Sequence, residues 1–433
     1  MGNEWINTEL GDVIELKRGY DLPKTKRING SVPVVSSSGH SGLHNEVKIK
    51  SPGVVTGRYG TIGQVFYIEE DFWPLNTTLY VKDFKGNDPL FIYYYLKTVS
   101  YKDYTDKGAV PGVNRNDLHR AKVSVPKCPK YQNKLATHLR DLDKKITLNN
   151  QINQTLEQMA QTLFKSWFVD FDPVKAKMNG EQPKGMDAPF FSKEVASLFP
   201  EKLVESELGE LPEGWKLVPV GDLLANAIGG DWGKEVPDEK HTEEVRIVRG
   251  TDIPKLHGGA IDSVPVRYVE SKKLKTRKLE RGDIVIEVSG GSKDQPTGRS
   301  LFISDNILKR LDLPSEPASF CRRFKPVSYE IGLLLAVHFQ LMYQAGKTWE
   351  YQNQSTGISN FQTKYFLEAE HVVIPSEDVL EAFIKQVNPM MDMIHSNQNI
   401  ELAKLRDTLL PKLLSGEVDL ESVQVEQAKA LTE

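Results

Sequence analysis

Two cysteines, Cys128 and Cys321, are all that 433 residues contain, and no C-x-x-C joins them. A disulfide framework is not expected, and a reducing cytoplasm is the simple reading. No stretch approaches the roughly 18 consecutive apolar residues of a membrane-spanning helix. The opening MGNEWINTEL is polar and acidic, unlike a signal peptide, and a lone Gly2 is discounted as a myristoylation signal. Catalytic signatures are missing as well. There is no G-x-x-x-x-G-K-[ST] loop for ATP, no H-E-x-x-H, no G-x-S-x-G elbow, and neither Asn-Pro-Pro-Tyr nor Asp-Pro-Pro-Tyr, the motifs of an adenine-N6 methyltransferase. His40 and His44 have helical metal-ligand spacing, but the glycine between them favours a loop. In PDEK (Pro237 to Lys240) the acidic residues are too compressed to present a nuclease metal. The carboxylates Asp170 and Asp172, with Pro173 next to them and no nearby His, read as a helix stop rather than an acid–base pair.

What is present is ordinary globular composition, 39% hydrophobic and 26% charged, in a chain long enough for two or three domains. The net charge of −4 argues against a protein that grips a polyanion by charge alone. The distribution is uneven. Residues 1–130 carry 18 basic against 14 acidic side chains, and residues 246–325 carry 17 against 10. Two surfaces for a polyanion fit this pattern, as does uneven solvated charge.

The stretch GVVTGRYGTIGQVFYI (Gly53 to Ile68) places three glycines after an apolar run. Its G-x-x-G-x-x-G spacing is followed by β-branched and aromatic residues, not by a helix whose N-terminus could meet a phosphate. A strand, a tight glycine turn and a second strand are expected.

The chain repeats itself. EWINTELGDVIEL (Glu4 to Leu16) matches EGWKLVPVGDLLA (Glu213 to Ala225), with Trp5 and Trp215 each six residues before a Gly-Asp pair. The glycine-turn segment has an echo in ERGDIVIEVSGGSKDQPTGRSLFI (Glu280 to Ile303). GVNRNDLHRAKVSVP (Gly112 to Pro126) matches GISNFQTKYFLEAEHVVIP (Gly357 to Pro375), and Asn150 to Phe168 matches Asn397 to Ser415. So long a period indicates a duplicated domain rather than a solenoid. The second glycine turn is longer and differently built, as a recognition loop can be and a catalytic phosphate loop cannot.

No Pro or Gly interrupts Tyr131 to Phe168. Leu142, Asn149, Leu156 and Leu163 recur every seven residues, with Ile146, Asn153, Ala160 and Trp167 as companions. This a/d seam, in which asparagines set register, predicts a helix about 57 Å long. Near the C-terminus Val387, Met391, Ile394, Leu402, Leu405, Leu409 and Leu413 form a second seam, where Pro389 and Pro411 argue against one unbroken rod. The two helices suit each other as antiparallel partners; ordinary amphipathic helices on a globular core are the plainer reading. The expected organisation is a β-rich unit at 1–130, a central helical spacer at 131–174, a polar linker at 175–212, a second β-rich unit at 213–378, a C-terminal helical spacer at 379–418 and a tail at 419–433.

Together, LFKSWFVDFDPVKAK (Leu163 to Lys177), LRDTLLPKLLSGEVDL (Leu405 to Leu420), LPEGWKLVPVGDL (Leu211 to Leu223) and the glycine-turn segment resemble the specificity subunit of type I restriction–modification systems. The resemblance covers nearly the whole chain. It implies an α+β fold of two β-rich target recognition domains, pseudo-twofold duplicated and separated by two long antiparallel, coiled-coil-like helices. It implies a non-catalytic, cytoplasmic subunit that reads a split double-stranded DNA target. It implies docking to two methyltransferase subunits, which bind S-adenosylmethionine, and through them to restriction subunits that use ATP and Mg. No metal or cofactor is expected on this chain. A protein-only adaptor, or a single-chain nuclease using the PDEK region, are the competing readings.

Candidate DNA-contacting residues are the polar loop positions: Ser37, Ser38, His40, Arg58, Tyr59, Asn114 and Arg115 in the first domain, and Arg249, Thr251, Lys293, Arg299, Ser355 and Asn360 in the second. Arg and Lys suit guanine edges or phosphates and Asn suits adenine. A salt bridge for Arg58, a core position for Tyr59 and turn capping for the serines are the alternatives.

Overall fold

The structure, a computed structural model, describes residues 4–105, 111–181, 192–206, 209–292, 294–355 and 358–418. The chain divides into two compact units, residues 1–147 with 401–433, and residues 148–400.

In the first unit the apolar run Gly53–Gly57 and the segment Val65–Ile68 pair antiparallel on either side of the glycine turn. They join a four-stranded sheet in the order Glu15–Arg18, Thr78–Asp83, Gly53–Gly57, Val65–Ile68. A three-stranded sheet places Val32–Ser36 between Gly39–His44 and Trp73–Pro74, the last pairing parallel. The helix Pro89–Thr98, capped by the Asp88 carboxylate on the Phe91 amide at 2.8 Å, buries Leu90, Phe91 and Leu96 with Val54 and Leu79. Trp5–Glu9 and Lys122–Pro126 form a separate ladder.

The second unit repeats this topology. Its four-stranded sheet runs Leu224–Gly229, Cys321–Pro326, Ile284–Glu287, Ser300–Phe302, and its three-stranded sheet places His241–Val248 between Val266–Glu270 and a parallel Ser315–Pro317. Lys216–Pro219 pairs with His371–Ile374 as the first unit's terminal ladder does. Both glycine-turn segments therefore occupy the same place, between a central strand and its outer neighbour. The second unit adds the helices Ile253–His257, Ser271–Arg277 and Asp305–Leu311; the first and last build a core around Val248, Leu256, Ile303 and Leu311, and Leu274 of the middle one packs against Val245, Ile247 and Val269.

A single helix spans Pro129–Phe168. In the first unit its Leu142 and Ile146 pack with Leu402, Leu405 and Leu409 of the helix Gln398–Ser415, and Arg406 Nη1 pairs with Asp143 at 2.7 Å. In the second unit Leu156, Leu163 and Trp167 pack with Met391 and Phe383 of the helix Glu377–Ile394, and Asn149 Nδ2 donates to Asn399 at 2.9 Å. Rising numbers on one strand of this packing meet falling numbers on the other, so both C-terminal helices run antiparallel to the long one. The expected interruption is present, but it lies at His395–Asn397, while Pro389 and Pro411 both sit inside helices. Buried Ile394 is the last residue before the break.

The break is held by side chains rather than by proline geometry. Arg310 is buried and meets no carboxylate among the described residues; it donates to the carbonyls of Leu256, His395 and Ser396 and to Asn397 Oδ1. Burial lowers its guanidinium pKa to about 10. His395 is fully buried, 3.0 Å from Ser304 Oγ and 3.2 Å from His257, whose other nitrogen meets Glu157 at 2.7 Å.

The segment expected to be a polar linker at 175–212 is partly structured. It contains the end of the helix Asp172–Met178, the helix Lys193–Ser197 and a hairpin of Leu203–Ser206 with Gly209–Pro212. Phe199 and Leu211 tie it to a buried cluster with Trp167, Phe168 and Trp215, and Phe199 meets Trp167 edge-on at 4.9 Å. Apolar residues spaced singly through polar sequence gave no periodic signal for this packing. The long helix ends at Phe168, and Phe171 turns the chain at φ 54° before Asp172 receives the Ser166 hydroxyl.

Replacing Arg310 by Leu leaves three carbonyls without their donor, and unfolding free energy should fall by about 3 kcal/mol. Denaturant titration of the purified chain measures this; a change under about 0.5 kcal/mol contradicts the role given to this side chain.

Candidate nucleic-acid interface

A turn that leaves a sheet must find partners for its amides. Both glycine-turn segments find them in the same way. In the first unit the consecutive amides of Arg58 and Tyr59 both donate to the Thr77 carbonyl, at 2.9 and 3.2 Å, and the Arg58 carbonyl accepts the Val113 amide at 3.0 Å. In the second, the amides of Val288 and Ser289 both donate to the Phe320 carbonyl, at 2.8 and 3.2 Å, and the Val288 carbonyl accepts the Phe361 amide at 2.7 Å. Each unit thus has a junction of three segments: the glycine turn, the strand connection that carries the shared carbonyl, and the residues before a short helix.

At the first junction Arg58 lies over the Tyr59 ring, 4.5 Å from its centroid. Neither the ion pair nor the core position considered for these residues is found: both are half-buried, and Arg58 has no carboxylate partner among the described residues. The Tyr59 ring packs on Gly112, where a Cβ would come within 2.2 Å of a ring carbon. Gly57 is similarly required, since a Cβ there would lie 1.9 Å from the Thr61 carbonyl. Ser37 reaches the same turn, its carbonyl 3.3 Å from that hypothetical Gly57 Cβ. The turn after Val32–Ser36 is capped by Ser36, whose hydroxyl donates to the Gly39 carbonyl and accepts the Ser38 amide, which leaves Ser38 and His40 exposed. Asn114 caps the helix Arg115–His119 through the Asn116 amide at 3.0 Å, and Arg115 is exposed beside Asn116. Ser37, Arg58, Tyr59 and Asn114 therefore share the junction.

The second junction opens on a cleft of about 820 Å³ lined by Arg249, Thr251, Glu287, Ser289, Arg299 and Phe320, among others. Arg299 grips buried Glu287 through Nε at 2.9 Å and Nη2 at 2.6 Å. Arg249 grips buried Asp252 through Nε and Nη2, both at 2.8 Å, and also donates to the Ser263 carbonyl. These hydrogen bonds raise both guanidinium pKa values further. Gly250 and Gly290 flank the Glu287 carboxylate, where a Cβ would come within 2.3 and 2.4 Å of Oε1. Asn360 is exposed and pairs with Ser289 across the adjoining strands. Ser355 ends the strand Gln352–Ser355, and Lys293 lies outside the described residues.

Sequence reasoning missed the carboxylates that hold the two arginines. It also missed the exposed rings of Phe320 (66%) and Trp232 (41%), the latter under Arg267 at 5.2 Å. The signal available was an aromatic among small and polar residues, in GGDWGK and PASFCR. In PDEK, Asp238 accepts the amides of Lys240 and His241 and meets the His241 ring at 2.8 Å, the geometry of a turn. Among the described residues no group of three His, Cys, Asp or Glu is placed to hold a metal ion, and no helix is long and apolar enough to cross a membrane.

Residues 2–158 match the family model of the type I restriction modification DNA specificity domain. The chain is 25% identical to the type I restriction enzyme HindI specificity subunit of Haemophilus influenzae, over 96% of this chain and 94% of that one. It is 27% identical to the type I restriction enzyme MjaIX specificity subunit of Methanocaldococcus jannaschii, over 77% of this chain and 70% of that one. Its fold is similar to the crystal structure of the S subunit of a type I restriction-modification system from M. genitalium, with a TM-score of 0.56 at 15% identity, covering 95% of this chain and 96% of the other. The resemblance read from the sequence to type I specificity subunits holds along nearly the whole chain.

One group beside the second junction titrates unusually. Glu316, on the strand that leads to Phe320, is buried, and neither carboxylate oxygen has a hydrogen-bond partner among the described residues. Burial, then the nearby Asp231 charge, pushes its pKa from 4.5 up to about 7. The folded state therefore holds a proton that the unfolded state releases near pH 4.5, and stability is lost as pH rises through 7. Glu316→Gln should raise the melting temperature above pH 7 and leave it nearly unchanged near pH 5. An equal shift at both pH values contradicts the buried protonated carboxyl.

Proposed function

We propose that this chain is the DNA-reading specificity subunit of a type I restriction–modification complex, each unit reading one half of a split target. The observation that carries the reading is the duplicated junction, one backbone scaffold bearing two different sets of side chains. Recognition of two unrelated half-sites asks for such divergence on a retained frame. The basic excess in residues 1–130 and 246–325, the two parts that contain most of both junctions, supports it. The modest charge fits a division of labour in which partner subunits hold phosphates and this chain reads base edges.

In this reading two adenine-N6 methyltransferase subunits dock on the chain, and restriction subunits join through them. S-adenosylmethionine belongs to the methyltransferase partner, and ATP and Mg to the restriction partner. The chain contributes no catalytic residue of its own and works in the cytoplasm.

Mapping methylated adenines across the host genome, with the gene intact and deleted, tests this. Deletion should erase methylation at one split motif with a modified adenine in each half. A genome whose methylation is identical with and without an expressed gene contradicts the reading.

A further inference from the structure

The two arginines of the second cleft are not equivalent, and the difference identifies what the cleft reads. A guanidinium has five N–H donors. In Arg299, the Nε–H and one Nη2–H are taken by Glu287, and no other hydrogen bond to this side chain is made among the described residues. Both Nη1 hydrogens and one Nη2 hydrogen remain, so the end of the fork is an unused two-nitrogen edge. In Arg249 the second Nη2 hydrogen goes to the Ser263 carbonyl, which leaves only Nη1. Neither Nη1 is buried without a partner, and both side chains line the cleft. The Glu287 carboxylate is buried and Gly250 and Gly290 press on it, so the orientation of Arg299 is fixed before any ligand arrives.

We propose that this cleft reads a guanine, Arg299 donating from its free edge to O6 and N7, with Arg249 Nη1 beside it for a neighbouring acceptor. Adenine presents an N6 donor where guanine presents O6, and so opposes a fork that can only donate. The cleft volume of about 820 Å³ admits a base edge, and the exposed Phe320 ring at its rim shields the pair from water. This rests on the DNA-reading function proposed above.

The test uses the chain assembled with its methyltransferase partners on duplexes carrying its mapped target, with each base pair varied in turn. Arg299→Lys keeps the charge next to Glu287 but removes the fork. Discrimination at one G·C pair, in one half of the target only, should fall about 10- to 100-fold, with the other half read normally. The double variant Arg299→Gln, Glu287→Gln, which leaves no buried charge unpaired, should do the same and guards against a folding defect in the single variant. Unchanged discrimination overturns the proposal. So does a uniform loss on all sequences with the salt slope reduced by about one, the signature of a phosphate contact. Failure of the unaltered complex to prefer any sequence would instead defeat the function on which the proposal rests.

Discussion

A single carbonyl that accepts two consecutive amides sets the geometry of each junction. Thr77 does this in the first unit and Phe320 in the second. Once those amides are satisfied, the glycine turn is anchored to the strand connection behind it and, through Arg58 or Val288, to the segment before the short helix. No side chain takes part in these bonds. Apart from the glycines that close contacts require, the residues of each junction can therefore change without loss of its frame.

The two junctions use that freedom differently. The first stacks a guanidinium on an aromatic ring, with Tyr59 resting on a glycine that only a missing side chain allows. The second fixes two guanidinium groups with buried carboxylates and opens a cleft between them. A stacked cation remains adaptable; a carboxylate-held one is preoriented and pays its ordering entropy on folding. Under the proposed function, two half-sites met by such different devices need have no sequence in common.

Much of this was legible in the sequence because periodicity and repetition survive without a structure. The apolar alternation and the glycines gave the hairpin, and the seven-residue spacing of Leu142, Asn149, Leu156 and Leu163 gave the long helix. What stayed hidden depended on pairing. Arg299 and Glu287 are twelve residues apart across a hairpin, and no local pattern predicts that one holds the other. Phe199 joins its cluster from within polar sequence, and the helix break is set by Arg310, nearly ninety residues upstream of Asn397, rather than by the prolines that looked responsible. Candidate residues were recognisable by type; their freedom or commitment was not.

The central claim is that the two junctions face different halves of one DNA target. A photo-crosslinking residue placed at Tyr59 in one preparation and at Phe320 in another, with the chain assembled on its target with methyltransferase partners, addresses it directly. The account predicts that Tyr59 marks bases in one half and Phe320 bases in the other. Crosslinks from both positions to the same half, or from neither to DNA, would contradict it.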